Sequence, residues 1–328
     1  MKAIQVQNKG KESSLTIGEV PLPSPNEDEI RVKTKAAAIN RADLDQRKGH
    51  YPPPEGATEI LGLEMAGVVE ECGSNVDQWQ VGDRVFGLLP GGGYAEYCAI
   101  HKDMALPMPE AMDFTEATAV PETFLTAFQS LVWLGTLREG DTVLIHAAGS
   151  GVGTSAIQLA RKLFDTQIIA TAGKQHKLDT AENLGATFTY NYKEQNYAEE
   201  IIHNLGEDSV DLIIDFIGKP YWYKNIEVLA MDGRVVYLSF LGGHKIKNMS
   251  LAPILSKRLK IMGSTLRSRS RDYKIGLTAD FWKRTQSLFE EQKLYPVIDS
   301  TFRWTETEQA HRRMQQNKNT GKIVLTGM

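Results

Sequence analysis

The chain has 328 residues, 41% of them hydrophobic and 24% charged, with a formal net charge of −4. That is the composition of a water-soluble globular protein, and the length suggests two domains, since a single core rarely grows beyond ~250–300 residues. The acidic balance leaves no basic footprint for nucleic acid, no run of ~18 apolar residues suggests a membrane span, and the two cysteines, Cys72 and Cys98, exclude a disulfide scaffold or a four-cysteine zinc site.

Met1 to Gln5 starts directly in a strand-like pattern without an apolar targeting segment, so a cytoplasmic location is expected. Residues 1 to about 122 read as all-β, a barrel or sandwich. Ile30 and Val32 alternate with Arg31 and Lys33 in a strand running on to Ile39, and Met65 to Glu71 is a second strand closed by Gly73-Ser74-Asn75. Val81 to Gly87 is a turn feeding a strand, and Gly91-Gly92-Gly93 precedes the alternating run Tyr94 to Ile100. Thr115 is a candidate helix N-cap with Glu116 in its first turn, and Pro121 separates this helix from one through Leu134.

From Asp141 to residue 265, strands and helices alternate. Thr142–Ala147, Gln167–Thr171, Phe188–Asn191, Val210–Asp215, Gly233–Leu238 and Leu259–Ser264 predict six strands of a doubly wound parallel sheet. Helices end at Gly185 and Gly206, and another closes over Glu227 to Ala230. Residues 266–328 predict a helix from about Ile275 to Gln292, short strands at Val297-Ile298 and Phe302–Trp304, a helix from Glu306 to Gln316 and a strand at Lys322–Leu325. This segment is too small for a domain and is expected to return to the N-terminal one.

The first strand of the parallel sheet leads into Ala148-Gly149-Ser150-Gly151-Val152-Gly153, and Ala156, Ile157, Leu159, Ala160 and Leu163 follow on one helical face. Strand, small-residue turn and helix together form a dinucleotide site: the backbone comes close to a pyrophosphate and the helix start offers free N–H groups. Ala148, Ser150 and Gly153 occupy the three glycine positions of the strict fingerprint, and small residues that merely let helix pack on strand are the plain alternative. About 20 residues on, the second strand ends in Thr171-Ala172-Gly173-Lys174, with no acid for a ribose 2′-hydroxyl. Lys174, His176 and Lys177 follow. Cations without a carboxylate favour a 2′-phosphate, hence NADPH, although a solvated lysine at a helix start is the ordinary alternative.

Asn40-Arg41-Ala42-Asp43, Gly62-Leu63-Glu64-Met65-Ala66-Gly67, Val81-Gly82-Asp83-Arg84-Val85 and the glycine turn resemble the medium-chain dehydrogenase/reductase superfamily. The stretches Leu88–Gly93, Leu125–Gln129 and Asn317–Leu325 resemble its zinc-free quinone oxidoreductase branch, to which the zeta-crystallins belong. The resemblance implies an α/β fold in which a Rossmann-type doubly wound parallel sheet is joined to a GroES-like β-barrel catalytic domain. Zinc relatives place a cysteine and a histidine where this chain has Asn40 and Leu63, which supply neither thiolate nor imidazole, so no metal is expected. His146 is read as a packed core residue.

By the same resemblance, Ser150, Gly151, Val152 and Gly153 hold the pyrophosphate, with Gly173 beside them, and Lys177 and Tyr192 hold the 2′-phosphate of NADPH. Phe240, Leu241, Thr265 and Leu266 flank the nicotinamide half, and Asn317 is a further adenosine-side contact. Tyr51, between Gly49-His50 and Pro52-Pro53-Pro54, lies in the substrate cleft with Asn40 and Asp43. An exposed loop aromatic is the alternative reading of this tyrosine. Asn40 is expected to donate to a substrate carbonyl, and Tyr51 to donate or stack on a flat ring. Arg269 and Arg271 are read as solvated charges.

The implied function is metal-independent reduction of quinones by hydride from NADPH, with solvent or Tyr51 as the proton source. The alternatives are reduction of α,β-unsaturated ketones or aldehydes, and an NADPH-binding structural or regulatory protein with little turnover. The expected partner is a small-molecule quinone or enone, with no nucleic acid and no membrane. A homodimer is expected through the edge strand Leu259–Ser264.

Overall fold

The computed structural model describes residues 1–10 and 12–328. In chain order the elements are β1 (Lys2–Gln7), β2 (Ser14–Glu19), β3 (Glu29–Ile39), α1 (Arg41–Arg47), β4 (Glu64–Cys72), β5 (Arg84–Leu88), β6 (Tyr97–His101), β7 (Ala105–Pro107), α2 (Phe114–Thr118) and α3 (Pro121–Phe128). Then follow β8 (Thr142–Ile145), α4 (Gly151–Phe164), β9 (Gln167–Ala172), α5 (Gln175–Asn183), β10 (Phe188–Asn191), α6 (Tyr197–Leu205), β11 (Val210–Asp215), α7 (Trp222–Val228), β12 (Leu229–Tyr237), α8 (Ala252–Ser256) and β13 (Lys260–Gly263). The chain closes with α9 (Arg271–Glu290), β14 (Ile298–Arg303), α10 (Thr307–Gln315) and β15 (Lys322–Thr326). Two compact units result: Met1–Leu125 with Arg267–Met328, and Thr126–Leu266. No helix among the described residues is long and apolar enough to cross a membrane.

The unit 126–266 is a six-stranded sheet in the order β10-β9-β8-β11-β12-β13. Every strand pair in it is parallel. β8 is buried along its whole length, which explains its unbroken Thr142-Val143-Leu144-Ile145 run. The strand order reverses between β8 and β11, and the carboxyl ends flanking that reversal are where an open α/β sheet takes its ligand. Leu144, Ile169, Tyr197, Ile213, Trp222 and Val235 belong to its core. One expectation is corrected: Leu229 and Ala230 do not end a helix. α7 stops at Val228, and Leu229 turns extended and pairs with Val210, because sheet hydrogen bonds and burial outweigh the local helical pattern.

The other unit is built on β14-β15-β3-β4-β5-β7, with β6 paired to β3 and a separate β1–β2 ribbon. The hydrogen-bonded path ends at β14 and β7 and does not close on itself. Val297-Ile298 and Phe302–Trp304 are not two strands, since Ile298–Arg303 is one continuous strand parallel to β15. The N-terminal region is also not all-β. α1 forms because the Asp43 carboxylate accepts the Asn40 backbone N–H at 2.8 Å while Leu44 is buried. α2 starts from Asp113 rather than Thr115. Asp113 Oδ1 accepts the Glu116 N–H at 2.8 Å and Glu116 Oε2 accepts the Asp113 N–H at 3.1 Å, a reciprocal cap that Thr115 cannot make. Pro121 separates the two helices as expected, and it does so by beginning α3, where a missing N–H is harmless.

Candidate dinucleotide and active sites

In the parallel-sheet unit, the turn after β8 is a worked corner. Ala147 takes a left-handed φ of 50°, uncommon for a residue with a Cβ. Its carbonyl accepts the Ser150 N–H at 2.8 Å, and the Ala148 N–H donates to Thr171 O at 3.0 Å, tying the turn to the end of β9. Ser150 is the N-cap of α4, its Oγ accepting the Gly153 N–H at 3.0 Å. The N–H groups of Gly151 and Val152 reach no acceptor among the described residues. These two free donors at the start of a 14-residue helix suit a phosphate. A Cβ on Gly153 would lie 2.5 Å from Ala147 O, so the close packing of helix start on turn requires glycine here.

The neighbouring strand ends bring two further pairs into the same region. The Lys177 stem lies across Gly149, where a Cβ would sit 2.6 Å from Lys177 Cδ. Tyr192, after β10, lies over Gly173, after β9, where a Cβ would meet the Tyr192 hydroxyl at 2.7 Å. Tyr192 also meets the Tyr221 ring edge-on at 6.0 Å between centroids. Ala172 closes β9 with no acid beside it. Behind the turn, His146 is fully buried between Thr171 Oγ1 and Asn225 Oδ1, each at 2.8 Å, and burial lowers its pKa. It is a packed core residue. Phe240 and Leu241 are exposed on the loop after β12, which is held by the Leu241 N–H on Phe216 O at 3.0 Å. Thr265 is exposed and Leu266 buried just past β13.

The β-rich unit gathers the remaining residues around a buried ion pair. Lys322 Nζ, on β15, donates to Ile39 O at 3.1 Å, Asn40 Oδ1 at 2.7 Å and Glu64 Oε1 at 2.6 Å. Asn40 Nδ2 donates to the same Glu64 oxygen at 2.7 Å, and the Glu122 backbone N–H donates to Glu64 Oε2 at 2.8 Å. Lys322 and Glu64 side chains are 3% and 0% exposed, so this is a buried ion pair with its hydrogen bonds met. The Asn40 side chain is thereby engaged at both ends, Nδ2 on Glu64 and Oδ1 on Lys322. Asp43 is fully buried, with Oδ2 accepting from the Asn40 N–H and from Tyr94 Oη at 3.1 Å and Oδ1 from the Gly62 N–H at 3.0 Å. Burial raises its pKa to about 6 against the pull of those donors. Tyr94 Oη also meets His311 Nε2 at 3.3 Å, and burial lowers the His311 pKa to about 3.

Tyr51 is half-buried, and the Arg267 guanidinium lies over its ring at 5.5 Å from the centroid. Arg267 is itself 5% exposed and grips Pro90 O with Nε at 3.0 Å and Nη2 at 2.7 Å, while Nη1 finds no acceptor among the described residues. Glu122 retains some open surface, yet burial of its carboxyl, followed by the neighbouring Glu64 charge, raises its pKa to about 7. Asn317 is placed on the turn after α10 with φ 51°, its Oδ1 accepting from Arg41 Nη2 at 2.7 Å. Lys322, Glu64, Glu122 and Arg267 escaped the sequence reading. The one available signal was Glu64 and Lys322 as charges at the starts of strands whose next residues are apolar.

Among the described residues no group of three or more His, Cys, Asp or Glu could hold a metal ion. Leu63 is a buried aliphatic side chain and Asn40 is engaged as described, so the donor set does not suit zinc.

Residues 26–110 match the family described as "Alcohol dehydrogenase GroES-like domain", and residues 151–281 match "Zinc-binding dehydrogenase". The chain is 28% identical over 328 residues to the human "Quinone oxidoreductase", covering 99% of this chain and 97% of that one. Among solved structures, an NAD-dependent alcohol dehydrogenase is 32% identical with a TM-score of 0.85 and full coverage of both chains. The CurK enoyl reductase is 28% identical with a TM-score of 0.86, covering 99% of this chain and 98% of that one. With both of its units matched and its length spanned, the chain belongs to the medium-chain dehydrogenase/reductase family, in the quinone oxidoreductase branch.

Proposed function

We propose that this oxidoreductase reduces quinones with NADPH, without a metal. The observation that carries the cofactor choice is the pairing of Lys177 on Gly149 and Tyr192 on Gly173 around the end of β9, where Ala172 stands in place of an acid. Gly151 and Val152 N–H groups would hold the pyrophosphate, and Phe240, Leu241, Thr265 and Leu266 would flank the nicotinamide. When bound, the dinucleotide supplies the hydride. A quinone is electrophilic enough to accept it without a Lewis acid, and Tyr51, braced by Arg267, offers its ring as a stacking surface.

Lys177→Ala should weaken NADPH binding about tenfold or more and leave NADH within about twofold, since only the former loses a charge-assisted contact. Fluorescence titration checks this, and equal losses would remove the 2′-phosphate assignment. The function itself is tested by NADPH oxidation against ortho-quinones, para-quinones and enones, with and without prolonged chelation. Turnover of quinones that survives chelation is expected. Loss restored by zinc sinks the metal-free reading, and tight NADPH binding with no turnover favours a structural role. A second reading, reduction of an α,β-unsaturated carbonyl, is supported by the similarity to the CurK enoyl reductase. The proposal includes a cytoplasmic location and a homodimer through β13, which ends the parallel sheet with an unpaired edge.

A further inference from the structure

Beneath the dinucleotide turn, the parallel-sheet unit encloses a line of polar side chains. Thr171 near the end of β9, His146 just past β8, Asn225 on α7 and Asp215 at the end of β11 are each 0% exposed. Thr171 Oγ1 lies 2.8 Å from His146 Nδ1, His146 Nε2 lies 2.8 Å from Asn225 Oδ1, and Asn225 Nδ2 donates to Asp215 Oδ2 at 2.8 Å. Asp215 Oδ1 accepts the Ile217 N–H and, at 3.0 Å, the Gly218 N–H.

The line has a direction. A carboxylate only accepts, so Asn225 turns its NH2 to Asp215 and its oxygen to His146. That oxygen also accepts Tyr197 Oη at 2.9 Å. His146 therefore carries its proton on Nε2, and its bare Nδ1 accepts the Thr171 hydroxyl. Burial holds the imidazole neutral by lowering its pKa. Every side-chain donor in the line points toward Asp215, and none of its buried polar atoms lacks a partner.

Each end of the line holds one part of the candidate dinucleotide site. At one end, the Thr171 carbonyl accepts the Ala148 N–H of the phosphate turn at 3.0 Å. At the other, the segment fixed on Asp215 carries the loop after β12. Phe216 O accepts the Leu241 N–H at 3.0 Å, Ile217 O accepts the Gly242 N–H at 2.8 Å, and the Lys219 N–H donates to Gly243 O at 2.8 Å. Gly218, with φ 80°, packs so closely on Phe240 that a Cβ would meet its Cδ1 at 2.6 Å. We propose that Asp215 is a positioning residue: through Ile217 and Gly218 it sets the loop bearing Phe240 and Leu241, and the line through Asn225 and His146 locks that loop in register with the phosphate turn. This rests on the dinucleotide reading above. A dinucleotide held by its phosphates then meets a nicotinamide-side loop already in place, which lowers the ordering cost of binding that half.

The test pairs a spectroscopic signature with two ligands, NADPH and 2′,5′-ADP, which lacks the nicotinamide half. Histidine nitrogen NMR of the ligand-free wild type, with His146 assigned through its backbone, should show a neutral ring protonated on Nε2. In Asp215→Asn, the new amide can serve the Ile217 and Gly218 N–H groups only by turning its NH2 toward Asn225. Asn225 must then flip and present its own NH2 to His146, so the His146 proton should move to Nδ1. The tautomer thus reverses in a ring joined to Asp215 only through Asn225. The same variant should weaken NADPH about tenfold and leave 2′,5′-ADP within about twofold. Thr171→Val cuts the opposite end of the line and tests it even where Asp215→Asn does not fold. It should weaken NADPH about threefold, again with 2′,5′-ADP within about twofold. A wild-type His146 protonated on Nδ1 overturns this inference alone, as do folded variants that weaken both ligands alike or neither. A wild type that binds neither ligand overturns the dinucleotide reading, and this inference with it.

Discussion

Replacing Lys322 by methionine will destabilise the β-rich unit by about 3–5 kcal/mol, the range for removing one partner of a buried ion pair. The side chain is 3% exposed, and Glu64, which it meets at 2.6 Å, is wholly buried. Methionine fills the space but leaves the Glu64 carboxylate with only the Asn40 amide and the Glu122 N–H, and it frees Ile39 O and Asn40 Oδ1 from a strong donor. Urea denaturation followed by tryptophan fluorescence should show the midpoint fall. The double variant Lys322→Met with Glu64→Gln should recover much of the loss, because it removes the stranded charge. A single variant within about 1 kcal/mol of wild type would show that the pair is not what holds Asn40 in place.

The second large effect is on the dinucleotide turn. Gly153→Val should weaken NADPH binding by at least about 100-fold, roughly 2.7 kcal/mol. A Cβ there would lie 2.5 Å from Ala147 O and 2.8 Å from Ala148 O. Both obstacles are backbone, so no rotamer relieves them and the corner must open, carrying the Gly151 and Val152 donors with it. Gly263→Ala serves as the control, since a methyl there meets nothing within 4 Å. Fluorescence titration separates the two. A Gly153→Val protein that binds NADPH normally would mean that the phosphate is held elsewhere.

What the sequence disclosed follows from how local each feature is. The buried strand Thr142–Ile145, the small-residue turn and the apolar face of α4 are contiguous, so their pattern survives without tertiary information. The six-strand alternation fixed the class of sheet for the same reason. Leu229 is different: helical by its neighbours, it becomes a strand residue only because Val210 offers it a partner. Asp113 and Thr115 are both good caps by type, and only the reciprocal bond with Glu116 separates them. The β-rich half of the site was hardest to read. Asn40 and Asp43 stood out as a motif, but their roles depend on Lys322, Glu64 and Tyr94. Glu122 and Arg267 look like ordinary surface charges until folding removes their water.

The ion pair joining Lys322 to Glu64 spans 258 positions of the chain. During synthesis the acid therefore leaves the ribosome long before its counter-ion, and the whole parallel-sheet unit is translated in between. Until β15 adds beside β3, the strand carrying Glu64 has a carboxylate it cannot bury with its charge intact, so a nascent or prematurely ended chain is held open at that place. Completion of the β-rich unit is thereby coupled to completion of the polypeptide, and a truncated product lacking β15 would present protein quality control with an unfinished sheet beside a finished dinucleotide fold.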